Sequence, residues 1–275
     1  MAVFEIDAYS PRQVAEQVQA IGVVKARLPP LAMLMLGLSA GGFIALGALY
    51  SVVVFADPTL PFAASRLLGG LAFSLGLVLV VIAGAELFTG NNLLVMAWAD
   101  GKITTAEVAR NWVVVYFANA VGAIGLAMVV WLSGHGDLNQ GEVAAQYVAI
   151  ATAKVALPFW EAFFRGVLCN LLVCLAVWMA MAGRGVTDKI LAVIFPISAF
   201  VAAGFEHCIA NMYLIPLGIL LAPGVAAAGA APDWAGFLSN LVPVTLGNIA
   251  GGSILVAAVY HLIYGRGLKR GSWES

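Results

Sequence analysis

Gly84-Ala85-Glu86-Leu87-Phe88-Thr89-Gly90-Asn91 is followed 120 residues later by Gly204-Phe205-Glu206-His207-Cys208-Ile209-Ala210-Asn211, and both stretches read Gly-x-Glu-x-x-x-x-Asn. Each interrupts, with glycine and polar atoms, an apolar segment longer than one membrane crossing needs. Irregular backbone at membrane depth is tolerated only where protein buries it or where it lines a watery cavity, because lipid offers no partner to free N–H and C=O groups. The two stretches therefore mark broken helices and a candidate pore. A weaker echo joins Asn119-x-x-Gly122 to Asn248-x-x-Gly251, while the first and fourth apolar segments show none. Three crossings per copy is an odd number, so the second copy enters from the opposite side. Inverted repeats with breaks at matching places point to a transport pathway at the midplane.

Composition supports this frame. The chain is 63% hydrophobic and 10% charged, with a mean hydropathy of +1.00, where soluble domains carry about 25% charged residues. Six nearly uncharged segments, roughly 30–55, 67–98, 111–134, 156–182, 190–223 and 234–264, are long enough to cross a bilayer. The expected fold is an all-α membrane protein of six transmembrane helices, with residues 1–29 an amphipathic N-terminal segment, 30–266 the channel domain and 267–275 a tail. Within that domain the repeats run over about 30–134 and 155–266. No cleavable signal is expected, since Glu5, Asp7, Arg12, Glu16, Lys25 and Arg27 leave the first 29 residues without a compact apolar core. Basic residues gather in the N-terminus, the 99–110 and 183–189 loops and the tail, while the alternate loops hold only Arg66 and Lys154. The positive-inside rule then places both termini in the cytoplasm. A net charge of −1 excludes the basic field that nucleic acid requires. Cys169, Cys174 and Cys208 lack metal-ligand spacing and read as buried thiols, so no metal is expected.

Ionisable residues inside the crossings are costly and need a reason. Glu161 and Arg165, four apart, read as a helical ion pair. Glu86 and Glu206 occupy equivalent places and read as braces that accept hydrogen bonds at the breaks. His207 has no twin, since Leu87 stands in its place. A histidine on one side only of a pseudo-twofold points to function, because imidazole titrates near neutral pH and can offer an anion a donor or a proton. Phe73, Leu77, Leu87, Phe88, Val173 and Phe200 are apolar residues at plausible pore positions, and Lys154 is either an interfacial lysine or an anion-attracting charge. No nucleotide-binding, zinc-protease or nucleophile-elbow motif occurs, so neither an enzyme nor a cofactor is expected. Asn91 and Asn211 are followed by Asn92 and Met212 rather than by Pro-Ala, which disfavours a neutral-solute aquaporin.

Ala83-Gly-Ala-Glu-Leu-Phe-Thr-Gly-Asn91, Gly166-Val-Leu-Cys-Asn-Leu-Leu-Val-Cys-Leu-Ala-Val-Trp178, Gly204-Phe-Glu-His-Cys-Ile-Ala-Asn-Met-Tyr213 and Pro243-Val-Thr-Leu-Gly-Asn-Ile-Ala-Gly-Gly252 together resemble the signatures of the formate/nitrite transporter family, over about residues 11–266. The resemblance implies an aquaporin-like protomer, a homopentamer with one pore per protomer in a bacterial inner membrane, and passage of formate, nitrite or hydrosulfide; protons are expected to accompany the anion, because a bare anion is costly to desolvate. It implies that His207 is the central pore histidine, Thr89 the hydroxyl on the loop breaking the second crossing, Asn170 a pore-proximal amide, Lys154 a vestibule lysine and Glu206 its acidic neighbour. Leu87 with Phe88 resembles one hydrophobic slit and Phe73 with Phe200 the other, flanked by Leu77 and Val173. Glu86, Gly90, Asn91, Asn211 and Asn248 are structural at the breaks. The stretches Asn240-Leu-Val-Pro-Val-Thr245 and Ala210-Asn-Met-Tyr-Leu-Ile-Pro216 resemble formate-type members more than nitrite-type ones.

Overall fold

The computed structural model describes residues 8–225 and 230–265, all of them in helices or their connections, with no strand among them. The expected tail over 267–275 and the first seven residues of the N-terminal segment lie outside the described residues.

Helix α1 spans Pro11–Ala26. Ser10 caps it and Gln13 reaches back to the Ser10 N–H at 2.9 Å, a reciprocal capping box with proline at the first helical position. Its apolar face, Val14, Ala15 and Val18, is buried. Among the described residues, five helical segments are long and apolar enough to cross a membrane: α2 (Pro30–Phe55), α3 (Phe62–Ala83), α5 (Thr105–Leu132), α7 (Phe159–Ala182) and the run Trp234–Gly265, which begins as α10 (Trp234–Ile249) and continues in wider π-helical turns. The expected crossing at 190–223 is divided into α8 (Val186–Ala202) and α9 (Cys208–Leu221), neither of which spans alone. Likewise the segment expected at 67–98 is α3 followed, after a break, by a 3₁₀ turn over Gly90–Leu93 and the short α4 (Leu94–Ala99). The remaining helix, α6 (Glu142–Val155), packs on α9 and was not expected from the sequence.

Both breaks have the same cause. Gly84 and Gly204 adopt φ of +81° and +73°, a region nearly closed to residues with a Cβ, and so terminate α3 and α8. The N–H after each glycine turns back onto its helix, Ala85 to Val80 O at 3.0 Å, which also takes the Gly84 N–H at 3.1 Å, and Phe205 to Phe200 O at 3.0 Å, while the Gly204 N–H turns to Val201 O. Close helix crossings flank the breaks. A Cβ at Gly122 of α5 would collide with Leu38 O of α2, and one at Gly251 with Val167 O of α7. Helices α3 and α8 pack side by side, which brings the two breaks together in the interior.

Candidate functional site

Around the first break, Lys25 Nζ at the end of α1 donates to Glu86 Oε1 at 2.6 Å and Asn91 Oδ1 at 3.1 Å. Asn91 Nδ2 donates to Glu86 Oε2 at 2.7 Å and Asn111 Oδ1 at 3.0 Å, and Asn111 Nδ2 returns to Lys25 O at 3.2 Å. The second break repeats this circuit. Lys154 Nζ at the end of α6 donates to Glu206 Oε1 at 2.8 Å, Asn211 Nδ2 to Glu206 Oε2 at 2.7 Å and Asn240 Oδ1 at 2.8 Å, and Asn240 Nδ2 to Lys154 O at 2.8 Å. Asn119 donates to Gly37 O and Glu86 O and accepts from Phe88 N–H; Asn248 does the same with Gly166 O, Glu206 O and Cys208 N–H. Both glutamates are almost fully buried. A lone buried carboxylate is prohibitively costly, and here each has an ammonium and an amide N–H on its two oxygens. Glu86, Asn91, Asn211 and Asn248 all take part in these bonds at the two breaks, and Gly90 opens the 3₁₀ turn after the first break.

Lys25, Asn111 and Asn240 were missed by the sequence reading. The signal existed: Lys25 and Lys154, Gly37 and Gly166, Asn111 and Asn240, and Asn119 and Asn248 all stand 129 residues apart, whereas the glutamates stand 120 apart. The first and fourth segments therefore do carry an echo, in Gly37 and Gly166.

Between the circuits lies His207, buried at the N-cap of α9. Its Nδ1 accepts the Ala210 N–H at 3.1 Å. A backbone N–H can only donate, so Nδ1 carries no hydrogen and the ring proton of the neutral imidazole resides on Nε2. Nε2 lies 3.0 Å from Thr89 Oγ1 on the opposite break, and the Phe200 ring stacks beside the imidazole at 6.0 Å. Asn170 Nδ2 holds the Thr89 carbonyl at 3.2 Å and also reaches Asn92 Oδ1 and Asn248 O, while its buried Oδ1 has no partner among the described residues. Two chains of sequence remote by over a hundred residues thus meet at one hydroxyl and one imidazole.

His207 lines one of two cavities, and Leu87 and Gly90, close to Thr89 in sequence, line the other. One, of about 270 Å³, is lined by Lys25, Glu86, Leu77 and Leu87 among others; the second, of about 310 Å³, by Lys154, Glu206, His207, Phe73 and Phe200. Phe73 and Phe200 meet edge to face with centroids 5.4 Å apart. Phe88, expected beside Leu87, lines neither cavity and packs instead against Tyr116 and Trp112 of α5, at 4.9 and 6.2 Å. Val173 is buried in the same core. Lys154 has a side chain 15% exposed and ion-paired, so it is not a free charge. Glu161 and Arg165 form the expected i,i+4 pair at 3.3 Å.

A family model described as formate/nitrite transporter matches residues 12–262. Formate channel FocA of Escherichia coli (strain K12) is 41% identical over 271 residues, covering 94% of this chain and 95% of its own. The solved structure of a pentameric formate channel with formate bound superposes with a TM-score of 0.78 at 40% identity, over 86% of this chain and 97% of that one. The aquaglyceroporin from Plasmodium falciparum shares the fold alone, with a TM-score of 0.54 at 14% identity over 85% of this chain and 100% of that one.

Proposed function

The chain belongs to the formate/nitrite transporter family, and from that premise we propose that it is a membrane channel for formate in which His207 and Thr89 handle the anion between two apolar constrictions. The observation that carries this reading is the 3.0 Å contact between His207 Nε2 and Thr89 Oγ1, with His207 lining one of two cavities that each hold a lysine. In this reading α8 and α9 count as one interrupted crossing, as do α3 and α4, giving six crossings in two inverted copies with both termini in the cytoplasm. Lys25 then faces the cytoplasmic vestibule and Lys154 the outer one. Nitrite is the alternative anion; the names of the similar proteins favour formate.

The physical problem is desolvation. Moving a bare anion past Phe73, Phe200, Leu77 and Leu87 costs several kcal/mol even after relaxation. A carboxylic acid with a pKa near 4 is neutral in only about one molecule per thousand at pH 7, so waiting for the neutral acid in bulk water is slow. At the contact, the Nε2–H donates to Thr89 Oγ1, which frees the Thr89 hydroxyl hydrogen for an anion. That arrangement compensates charge without an ion in the wall. Passing on a whole proton demands more: the imidazolium must form first, and Nδ1 can take a proton only by giving up the Ala210 N–H bond. Proton transfer through the ring is therefore coupled to uncapping α9.

Proteoliposomes with an internal pH dye test the proposal. His207→Phe abolishes formate uptake, and His207→Asn retains a weakly pH-dependent anion leak without accompanying protons. Equal proton flux in His207→Asn and the parent from about pH 5 to 8, the window in which imidazole titrates, would reduce His207 to a hydrogen-bonding residue.

A further inference from the structure

We propose that Arg66 is a positioning residue that sets the width of the Phe73–Phe200 constriction, and with it the discrimination between formate and larger carboxylates. The proposal rests on the channel reading above. Arg66 stands in the first turns of α3, partly buried. Its Nε donates to Ala202 O at 3.0 Å and its Nη2 to Val201 O at 2.5 Å. These are carbonyls of the last turn of α8, where the chain breaks at Gly204; Val201 O also accepts the Gly204 N–H at 3.1 Å, so the guanidinium adds a second donor there. A guanidinium suits that place: its planar fork spans two successive carbonyls, and its charge complements the negative end of the helix dipole. The guanidinium also sits 5.2 Å over the ring of Phe55 at the end of α2, so one side chain ties together the ends of three helices.

The consequence for the pore follows from spacing. Phe73 lies seven residues along α3 from Arg66, about two turns and on the same face. Phe200 precedes Val201 directly, and its carbonyl accepts the Phe205 N–H that closes the break. Arg66 therefore fixes the end of α8 against α3 beside the point where their two phenylalanines meet at 5.4 Å. The equivalent position 120 residues on is Val186, so the repeat itself does not demand a cation here. Like His207, Arg66 breaks the symmetry on the side that carries the outer cavity, which it lines.

Charge and fork are separable. Arg66→Lys keeps the charge and loses the planar fork, while Arg66→Met loses both; Arg66→Gln, a neutral amide donor of shorter reach, replaces Arg66→Lys if that variant does not fold. Stopped-flow uptake of formate, acetate and lactate into proteoliposomes, at matched amounts of folded protein, reads the acetate-to-formate flux ratio. Arg66→Lys and Arg66→Met should each raise the ratio at least threefold, with the pH profile of formate uptake unchanged. In a Phe73→Leu background, where the constriction is already open, Arg66→Lys should add nothing, since two changes acting through one gap are not additive. An unchanged ratio in folded Arg66→Lys overturns the proposal, whether or not Arg66→Met alters it, because an effect of Met alone belongs to charge. Equal effects of Arg66→Lys in both backgrounds overturn it too. If the parent passes nitrite but not formate, the formate reading falls and Arg66 is judged by the acetate-to-nitrite ratio instead.

Discussion

At the scale of single residues, the Lys154–Glu206 pair lines the second cavity, and in the proposed channel it is expected to set how an anion is treated there. A free lysine would act by long-range attraction, which at roughly 10 Å in water amounts to only about 0.4 kcal/mol. Its partner carboxylate matters more. Removing Lys154 leaves Glu206 buried without its ammonium, and as long as the carboxylate stays ionised its repulsion of an anion at roughly 5 Å with an effective dielectric near 20 is about 3 kcal/mol. Lys154→Ala should therefore lower formate flux about a hundredfold, with only a small further loss at low salt, because exposed charges are screened over about 8–10 Å near physiological ionic strength and buried ones far less. Lys154→Ala/Glu206→Gln should recover most of the flux, measured in proteoliposomes at low and high salt. A single-variant loss that vanishes at high salt would assign the role to steering. Part of this site was legible in the sequence: His207 and both glutamates stand out because the motif repeats and the histidine does not, whereas Thr89 entered only through the family resemblance. Lys25, Asn111 and Asn240 were hidden because each pairs with its counterpart as a single residue with no motif around it, although the offset of 129 that joins them also joins Asn119 to Asn248. The direction of the Phe88 ring toward Tyr116 was out of reach, since spacing along a chain does not specify which way a side chain turns at a helix break.

At the scale of elements, the breaks were readable as Gly-rich interruptions of apolar runs, and α6 was not. Its fourteen residues, EVAAQYVAIATAKV, are too short to cross and too mixed to stand out between two long apolar segments. Its role becomes visible only through its last turn, where Lys154 does for Glu206 what Lys25 of α1 does for Glu86. The pair α1 and α6 extends the likeness of the two halves beyond the crossings. The close contacts between α2 and α5, and between α7 and the run from α10, rest on small residues, as expected where lipid supplies no hydrophobic drive between helices. Gly251→Val would drive a side chain into the backbone of α7 at Val167. Such overpacking costs about 1–3 kcal/mol or more, so the thermal midpoint in detergent should fall by several degrees. Gly42→Val, where nothing lies within reach of an added Cβ, should leave it nearly unchanged. Equal midpoints for both variants would mean that the crossing is looser than the geometry indicates.

At the scale of the whole molecule, the single chain leaves wide apolar faces uncovered: Phe117, Val121 and Leu132 on α5 and Phe195 on α8 are all more than 60% exposed. Apolar exposure alone cannot say how many copies assemble, because lipid tails cover such faces as well as protein does. Five copies is a prediction taken from a neighbour that is 40% identical and is described as a pentameric formate channel. Native mass spectrometry in mild detergent should then find five copies of 28.6 kDa, about 143 kDa; monomers or dimers alone would count against it. Assembly leaves open whether the path runs through each subunit or between them. Residues of one chain line both cavities and make the His207–Thr89 contact. A ring with cyclic symmetry would accordingly carry a separate pore in every protomer. Co-expressing parent and His207→Phe subunits in equal amounts distinguishes the two arrangements. Independent pores leave about half the parent flux, whereas one path shared by five subunits and blocked by any of them leaves about 3% in a randomly mixed five-membered ring. A linear fall of flux with the fraction of His207→Phe subunits, tracked against ring composition by mass, is the expected outcome, and a fall close to the fifth power would move the path to the axis of the ring.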